Sequence, residues 1–441
     1  MHRSWPAVAV LAFVVAPGAA RADEAIAVRP LFTDPAQLAS WLAVHDPKIA
    51  AAQAKREAAV AARAQAGVLP NPQLQFAVGG LLLGRSNPPG LGLDDTTNYN
   101  IGLSELVELG KRGPRQRAAS LRVDAAGEQT VDALGDRLGD AITTLGKLTY
   151  VISRRAAMAA NLESARKLQT LEQVRRDHAD LSGAEFSRIE LDTQQLELQL
   201  SRASADVATA LAACGALLHA PCSTDGITEP TSLDAGAPLP GQLPASPAAI
   251  DAAIEGKAER VAARLEINAL ESDARLAEHR AIPDLTIGLG YTFDNLVLAG
   301  NQPKVGQVSI AFPLPFFDHG DHDAEAARAN ARAAAAEDQA SALVAHGEVE
   351  ALTAQRQTLE ATLKTLETTA VPKSAQIVEQ TRHAFDLGQA GLAELLLAER
   401  AHRELQLEVL DTRFDLFNVR AQLRQALGLD DQTARAARRS S

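Results

Sequence analysis

Aromatic side chains make up only 4% of the 441 residues, with two Trp and three Tyr, and Met and Cys occur twice each. So thin an aromatic supply argues against a large globular core. The Ala-, Leu-, Gln-, Arg- and Glu-rich stretches from residue 112 onward argue instead for long helices packed closely together. Clustered positive charge is also missing: 43 Lys and Arg stand against 55 Asp and Glu, a net charge of −12, and the one basic run is a short tail with Arg435, Arg438 and Arg439. Neutralising phosphate needs such clustering, so nucleic acid is set aside as a partner. No run of about 18 uninterrupted apolar residues occurs, so any passage through a membrane falls to strands. Nucleophile elbows, phosphate loops and zinc-protease patterns are absent, and the chain is read as a non-enzyme without a cofactor.

What is present begins with His2 and Arg3, an apolar run from Val8 to Val15, and Ala20-Arg21-Ala22. This pattern reads as a secretory signal peptide over residues 1–22, with Asp23 first in the mature chain. No Cys lies near the cleavage point, so lipid attachment there is not expected. An exported chain meets an oxidising compartment. Cys214 and Cys222, eight positions apart in a turn, are therefore expected as a local disulfide, with two free thiols as the alternative.

The chain is duplicated. Glu172, Gln173 and Arg175 recur as Glu379, Gln380 and Arg382, and Glu197-Leu198-Gln199-Leu200 as Glu404-Leu405-Gln406-Leu407, both at an offset of 207. The repeats span 23–218 and 249–428; a Pro/Gly/Ala-rich linker at 219–248 joins them, and a basic tail follows at 429–441. Each repeat opens with a helical stretch, 35–66 or 249–280. Strand alternation follows: Leu74, Phe76 and Val78, then Tyr99, Ile101 and Leu103; in the second repeat Leu285 to Phe293, then Val308, Ile310, Phe312 and Leu314. Then come helical tracts at 112–178 and 321–386, each roughly 100 Å long at about 1.5 Å per residue. Short breaks at Leu181-Ser182-Gly183 and Leu387-Gly388-Gln389 lead to returning helices, 185–218 and 392–428. Alternating strands fit either a half-buried soluble sheet or a barrel with lipid outside. The adjoining helices are too long to fold back as a lid, which favours the barrel. Four strands cannot close one, since such barrels begin at about eight, so several chains must share it.

With these features, the Pro313-Leu314-Pro315-Phe316-Phe317-Asp318 corner and the Phe385-Asp386-Leu387-Gly388 tip, the sequence resembles outer-membrane factors of the TolC family over residues 35–428. The resemblance implies a mainly α protein with a transmembrane β-barrel portion: a homotrimer with a 12-stranded barrel in the outer membrane of a Gram-negative bacterium, continuous with a helical periplasmic tunnel. The implied partners are a periplasmic adaptor protein, an inner-membrane efflux pump and outer-membrane lipid. The run Glu108-Leu109-Gly110-Lys111-Arg112, with Arg115, is similar to the Glu-Leu-Gly-Gly-Lys-Arg pattern of the heavy-metal branch, less one Gly. It implies metal cations as cargo, with drugs or other organic toxicants as the alternative. A periplasmic coiled-coil adaptor is a third reading, disfavoured because the strand-plus-helix unit occurs twice.

Three sets of residues are candidates for function. Asp321, His319 and His322, within the Asp318–Asp323 cluster, have metal-ligand side chains, but acids at a helix start equally cap the helix. Asp177, Asp180 and Asp386 precede the tips. If they face inward they form acidic rings around a pore entrance, and otherwise they are solvated helix ends. Gly183, Phe186, Gly388 and Leu392 stand beyond the turns as the candidate docking points for the adaptor. Lys111, Arg112 and Arg115 either meet acidic lipid head groups or snorkel at the interface.

Overall fold

The computed structural model describes residues 26–27, 34–81, 83–85, 89–178, 182–224, 243–244, 246–296 and 302–440. The signal peptide, most of the linker and Asp180 lie outside the described residues.

The chain opens with a short strand, β1 (Ile26–Ala27), and two helices, α1 (Pro35–His45) and α2 (Pro47–Ala66). Strands β2 (Gln73–Gly79) and β3 (Asn98–Val107) lead into α3 (Arg112–Asp177), 66 residues long, and the returning α4 (Gly183–Leu218). A two-residue strand, β4 (Cys222–Ser223), ends this half. The second half repeats the order with α5 (Pro247–Glu255), α6 (Ala258–Glu278), β5 (Leu285–Asp294) and β6 (Lys304–Ala311). Its long tract is α7 (Asp321–Thr365), a π-helical turn at Leu366–Ala370 and α8 (Val371–Asp386). The returning α9 (Leu392–Ala426) and α10 (Leu429–Ser440) follow.

Several boundaries differ from the sequence expectation, each for a local reason. The stretch 35–66 is two helices because Asp46 accepts a hydrogen bond from Lys48 N at 2.7 Å, and Pro47 then occupies the first helical position. Gly256 and Lys257 divide 249–280. The freed N–H of Ala258 donates to Asp431 at 2.8 Å, a cap supplied from the far end of the chain. The basic tail is a helix: Ala434 and Ala437 are buried, while Arg435 pairs with Glu128 at 2.7 Å.

β2, β3, β5 and β6 form one antiparallel sheet in that order, leaving β2 and β6 as edges. The register aligns the alternation. Leu74, Leu103, Leu289 and Val308 form one cross-strand row, and Phe76, Ile101 and Tyr291 lie in the next. On the opposite face Gln75, Gly102, Gly290 and Gln307 make one row, and Gln73, Ser104, Gly288 and Ser309 another. One face is therefore apolar across all four strands and the other small or polar.

The helices continue below the sheet. α3 is the spine and packs against α2, α4, α6, α9 and α10, while α7 lies against α6 and α9. Along α3, Leu134, Leu138, Ala141, Leu145 and Leu148 recur at alternating spacings of four and three, the seam of a coiled coil, and all are at most 1% exposed. They meet Leu38, Leu42, Leu218, Phe417 and Ala421 in the main core.

Cys214 and Cys222 are disulfide-bonded with Cα atoms 6.1 Å apart. The bond holds β4 to the end of α4, and the β4 backbone pairs in parallel with β1, Ile26 against Cys222. Reduction is expected to lower stability by roughly 2–3 kcal/mol, the loop-closure entropy of a short ring. Thermal unfolding of the purified protein with and without reductant, beside Cys214→Ser/Cys222→Ser, measures it; identical midpoints would refute it.

Candidate functional site

The apolar sheet face is the first part of the site. Leu74 and Val308 are each 72% exposed and Leu289 60%, so in the single chain this face has no cover. Burying such side chains is worth about 1.5–3 kcal/mol each, and a patch this large marks a contact with lipid or protein. No helix among the described residues is long and apolar enough to cross a membrane.

The strand-to-helix corners are the second part. In the first, Arg115 grips Glu108 with two hydrogen bonds of 2.6 and 2.8 Å, and this contact holds the Glu108 carboxyl below the usual carboxylate range. Lys111 pairs with Asp284 at 2.8 Å, and Arg112 donates to the Gly67 carbonyl at 2.8 Å. All three cations thus have partners within the chain, which accounts for the motif as a clamp between the corner and its neighbours. Gly110 and Gly320 hold the two corners at φ 74° and 76°, in the left-handed region that favours glycine. Both abut the C-terminal end of α6: a Cβ at Gly110 would meet His279, and one at Gly320 would meet the Ala277 carbonyl and Arg280.

The Asp318–Asp323 cluster does not gather into a metal site. Among the described residues no group of three His, Cys, Asp or Glu side chains could hold a metal ion. Asp318 accepts from Gly320 N at 2.9 Å, Asp323 pairs with Arg280, and Asp321 stands in the first turn of α7. His319 and His322 are exposed.

The tips are the third part. Ser182 and Glu185 form a reciprocal capping box at the start of α4. At the other tip Gly388 N donates to Phe385 O at 2.9 Å and Gln389 N to Ala384 O at 2.8 Å, the Schellman pattern. Asp177 and Asp386 are exposed helix ends, and Asp177 accepts from Gln173 at 2.9 Å. Of the docking candidates, Gly183 and Gly388 are exposed. Phe186 and Leu392 are instead buried in a small tip core with Leu168, Ile189, Phe385 and Leu395. Arg176 stacks on Phe186 and Arg175 on Phe385, at 4.3 and 4.7 Å from the ring centroids, so α3 grips both tips. Beside them Glu172 is buried, and its burial raises its pKa against the lowering pull of Arg175.

A tie the sequence reading missed joins the two hairpins just above the tips. Asp192 on α4, 7% exposed, accepts from Arg403 at 2.9 Å and from Arg400 at 3.3 Å, both on α9. Arg403 also pairs with Glu399, which Arg382 of α8 holds in turn. The signal lay in the spacing. Asp192 falls between Ile189 and Leu196 on the apolar stripe of its helix, and an acid there requires a partner.

The second repeat, residues 249–429, matches the family described as outer membrane efflux protein. No curated protein sequence matches the chain. Among solved structures, the outer membrane protein VceC of Vibrio cholerae is 19% identical with a TM-score of 0.71, covering 89% of this chain and 96% of its own. CusC, whose structures describe folding and transmembrane channel formation, is 15% identical at a TM-score of 0.72 and covers 89% and 92%. The open-state MtrE outer membrane channel of Neisseria gonorrhoeae is 15% identical at 0.71, covering 92% and 94%. At these identities the likeness is one of fold, and it extends over the whole architecture.

Proposed function

We propose that the chain, whose residues 249–429 match the outer membrane efflux protein family, a family of channels and not enzymes, is a passive exit duct. Three copies close one barrel in the outer membrane of a Gram-negative bacterium, and their helices form a tunnel through the periplasm. A periplasmic adaptor meets the tips and an inner-membrane pump loads the tunnel. The observation that carries this reading is the open sheet. Its apolar face is uncovered, its two edges are unpaired, and its polar face is lined by Gly, Ser, Gln and Asn. Closure removes both edges, and three four-stranded sheets exceed the roughly eight strands such barrels need.

Heavy-metal cations are the proposed cargo, on the corner motif from Glu108 to Arg115. Organic toxicants are the second reading, favoured by the internal pairing of Lys111, Arg112 and Arg115 and by the dispersal of His319 and His322. A deletion strain, with and without the restored gene, is the test. Sensitivity confined to zinc, cobalt, cadmium, copper or silver salts is the expected result. Sensitivity to dyes and antibiotics alone would overturn the metal cargo, and fully soluble protein on fractionation would overturn the duct.

A further inference from the structure

The apolar stripe of β6 does not stop where its hydrogen bonding stops. Val308, Ile310 and Phe312 lie on the uncovered face, and the pattern runs on past Ala311 to Leu314 and Phe316, 59% and 72% exposed. Phe317 follows, fully exposed at 101%. At the start of β2, the other edge strand, a cleft of about 450 Å³ is lined by Ala62, Gln65, Ala66, Val68, Leu69 and Pro70 together with the Glu108–Arg115 pair. Val68 and Leu69 stand 51% and 55% exposed at its lip.

Topology places these two features together. In the order β2-β3-β5-β6 every pairing is antiparallel, so the end of β6 and the start of β2 lie at the same end of the sheet. If copies close a ring, the β6 edge of one faces the β2 edge of the next at about 4.8 Å, and the pairing there is again antiparallel. The segment leaving β6 then runs beside the neighbour's segment entering β2. We propose that Phe317, supported by Phe316, seats in the Val68–Pro70 cleft of the next copy of this chain. The cleft offers aliphatic walls beside the Arg115 guanidinium, whose N–H groups are held by Glu108 and the Ala66 carbonyl, and a guanidinium suits the face of an aromatic ring. The proposal rests on the ring-closed assembly above and adds a specific seam to it at the level of the corner.

Site-directed cross-linking of the full-length protein, extracted in detergent, tests it. In a Phe317→Cys/Leu69→Cys double variant that keeps the Cys214–Cys222 disulfide, a short bismaleimide is expected to give covalent dimers and trimers on a denaturing gel, a ladder absent from either single variant. Phe317→Ser is expected to lower the temperature at which the native oligomer dissociates while leaving the helical unfolding transition unchanged. Trimer mass by light scattering with no ladder, and unhindered labelling of the Phe317→Cys thiol by a lipid-soluble maleimide, would assign Phe317 to lipid and overturn the seam while leaving the assembly standing. Monomer mass would overturn the assembly itself.

Discussion

Replacing Arg424 by Met is expected to destabilise the protein by about 3–5 kcal/mol, the cost of leaving one member of a buried ion pair without its partner. Arg424 is 1% exposed and donates through Nε and an amino nitrogen to one oxygen of Asp430, at 3.2 and 2.7 Å. The other oxygen of Asp430 is buried with no hydrogen-bond partner among the described residues and faces Gly139 of α3. Burial raises the Asp430 pKa, and Arg424 is the influence that opposes the rise. An acid whose folded pKa is raised takes up a proton on folding, so its contribution improves as pH falls through that pKa toward the unfolded value. Without Arg424 the rise is larger. The deficit of Arg424→Met should therefore be greatest at neutral and higher pH, where Asp430 is ionised, and shrink as pH falls toward the ordinary carboxylate range. Arg424→Met/Asp430→Leu should recover most of the loss, because a well-packed apolar pair substitutes for a buried ionic one at little or no cost. Urea unfolding across that pH range checks all three statements, and a deficit that grows with acidity would contradict the assignment.

Gly146→Ala should also destabilise, against the general rule. Alanine in a helix interior normally gains about 1 kcal/mol over glycine. At Gly146 a Cβ would overlap the Phe417 ring of α9, which is itself 3% exposed and stands close to the stacked Tyr150–Phe414 pair. Overpacking of this kind costs about 1–3 kcal/mol. Gly347, in the middle of α7, supplies the contrast, since among the described residues no atom outside its own helix backbone and chain neighbours lies within 4 Å of its Cβ position. Gly347→Ala should stabilise the isolated protomer by about 1 kcal/mol. If the assembled protein loses stability instead, a neighbouring copy occupies that space.

The parts of this fold that follow local rules were legible in the sequence. Leu285 to Phe293 announced β5 almost to the residue, because an alternation with one apolar face is fixed by the pleat whatever surrounds it. The 112–178 tract emerged as one helix because no Pro interrupts its body. Beyond Ala311 the alternation outran the strand, since Pro313 has no N–H to offer a ladder. The π turn at Leu366–Ala370 was not legible, although Pro372, which cannot donate to the carbonyl four residues back, marks why the coil widens there. The C-terminal helix escaped notice because its arginines suggested a tail, while the informative residues were Asp430 and Asp431. Both are buried, and neither is intelligible until its partner, Arg424 or Ala258 N, is in place. The site divides the same way. Phe186 and Leu392 lie at the tips, where the chain turns, yet they face inward, a choice that only the packing of four helix ends decides.

Gly110 and Gly320 bear on a single point, the end of α6, although they lie in different repeats. Mechanically this makes the end of α6 a shared abutment. At this abutment the corner before α3 meets His279 beside Gly110, and the corner before α7 meets Arg280 and the Ala277 carbonyl beside Gly320, within one short stretch of chain. With β3 and β5 paired over their whole length, the abutment couples the tilt of the two hairpins of one chain. Below this bearing further cross-ties join the hairpins, Gln425 with Asp136, Tyr150 and Arg154 with Asp411, and toward the tips Asp192 with its arginines.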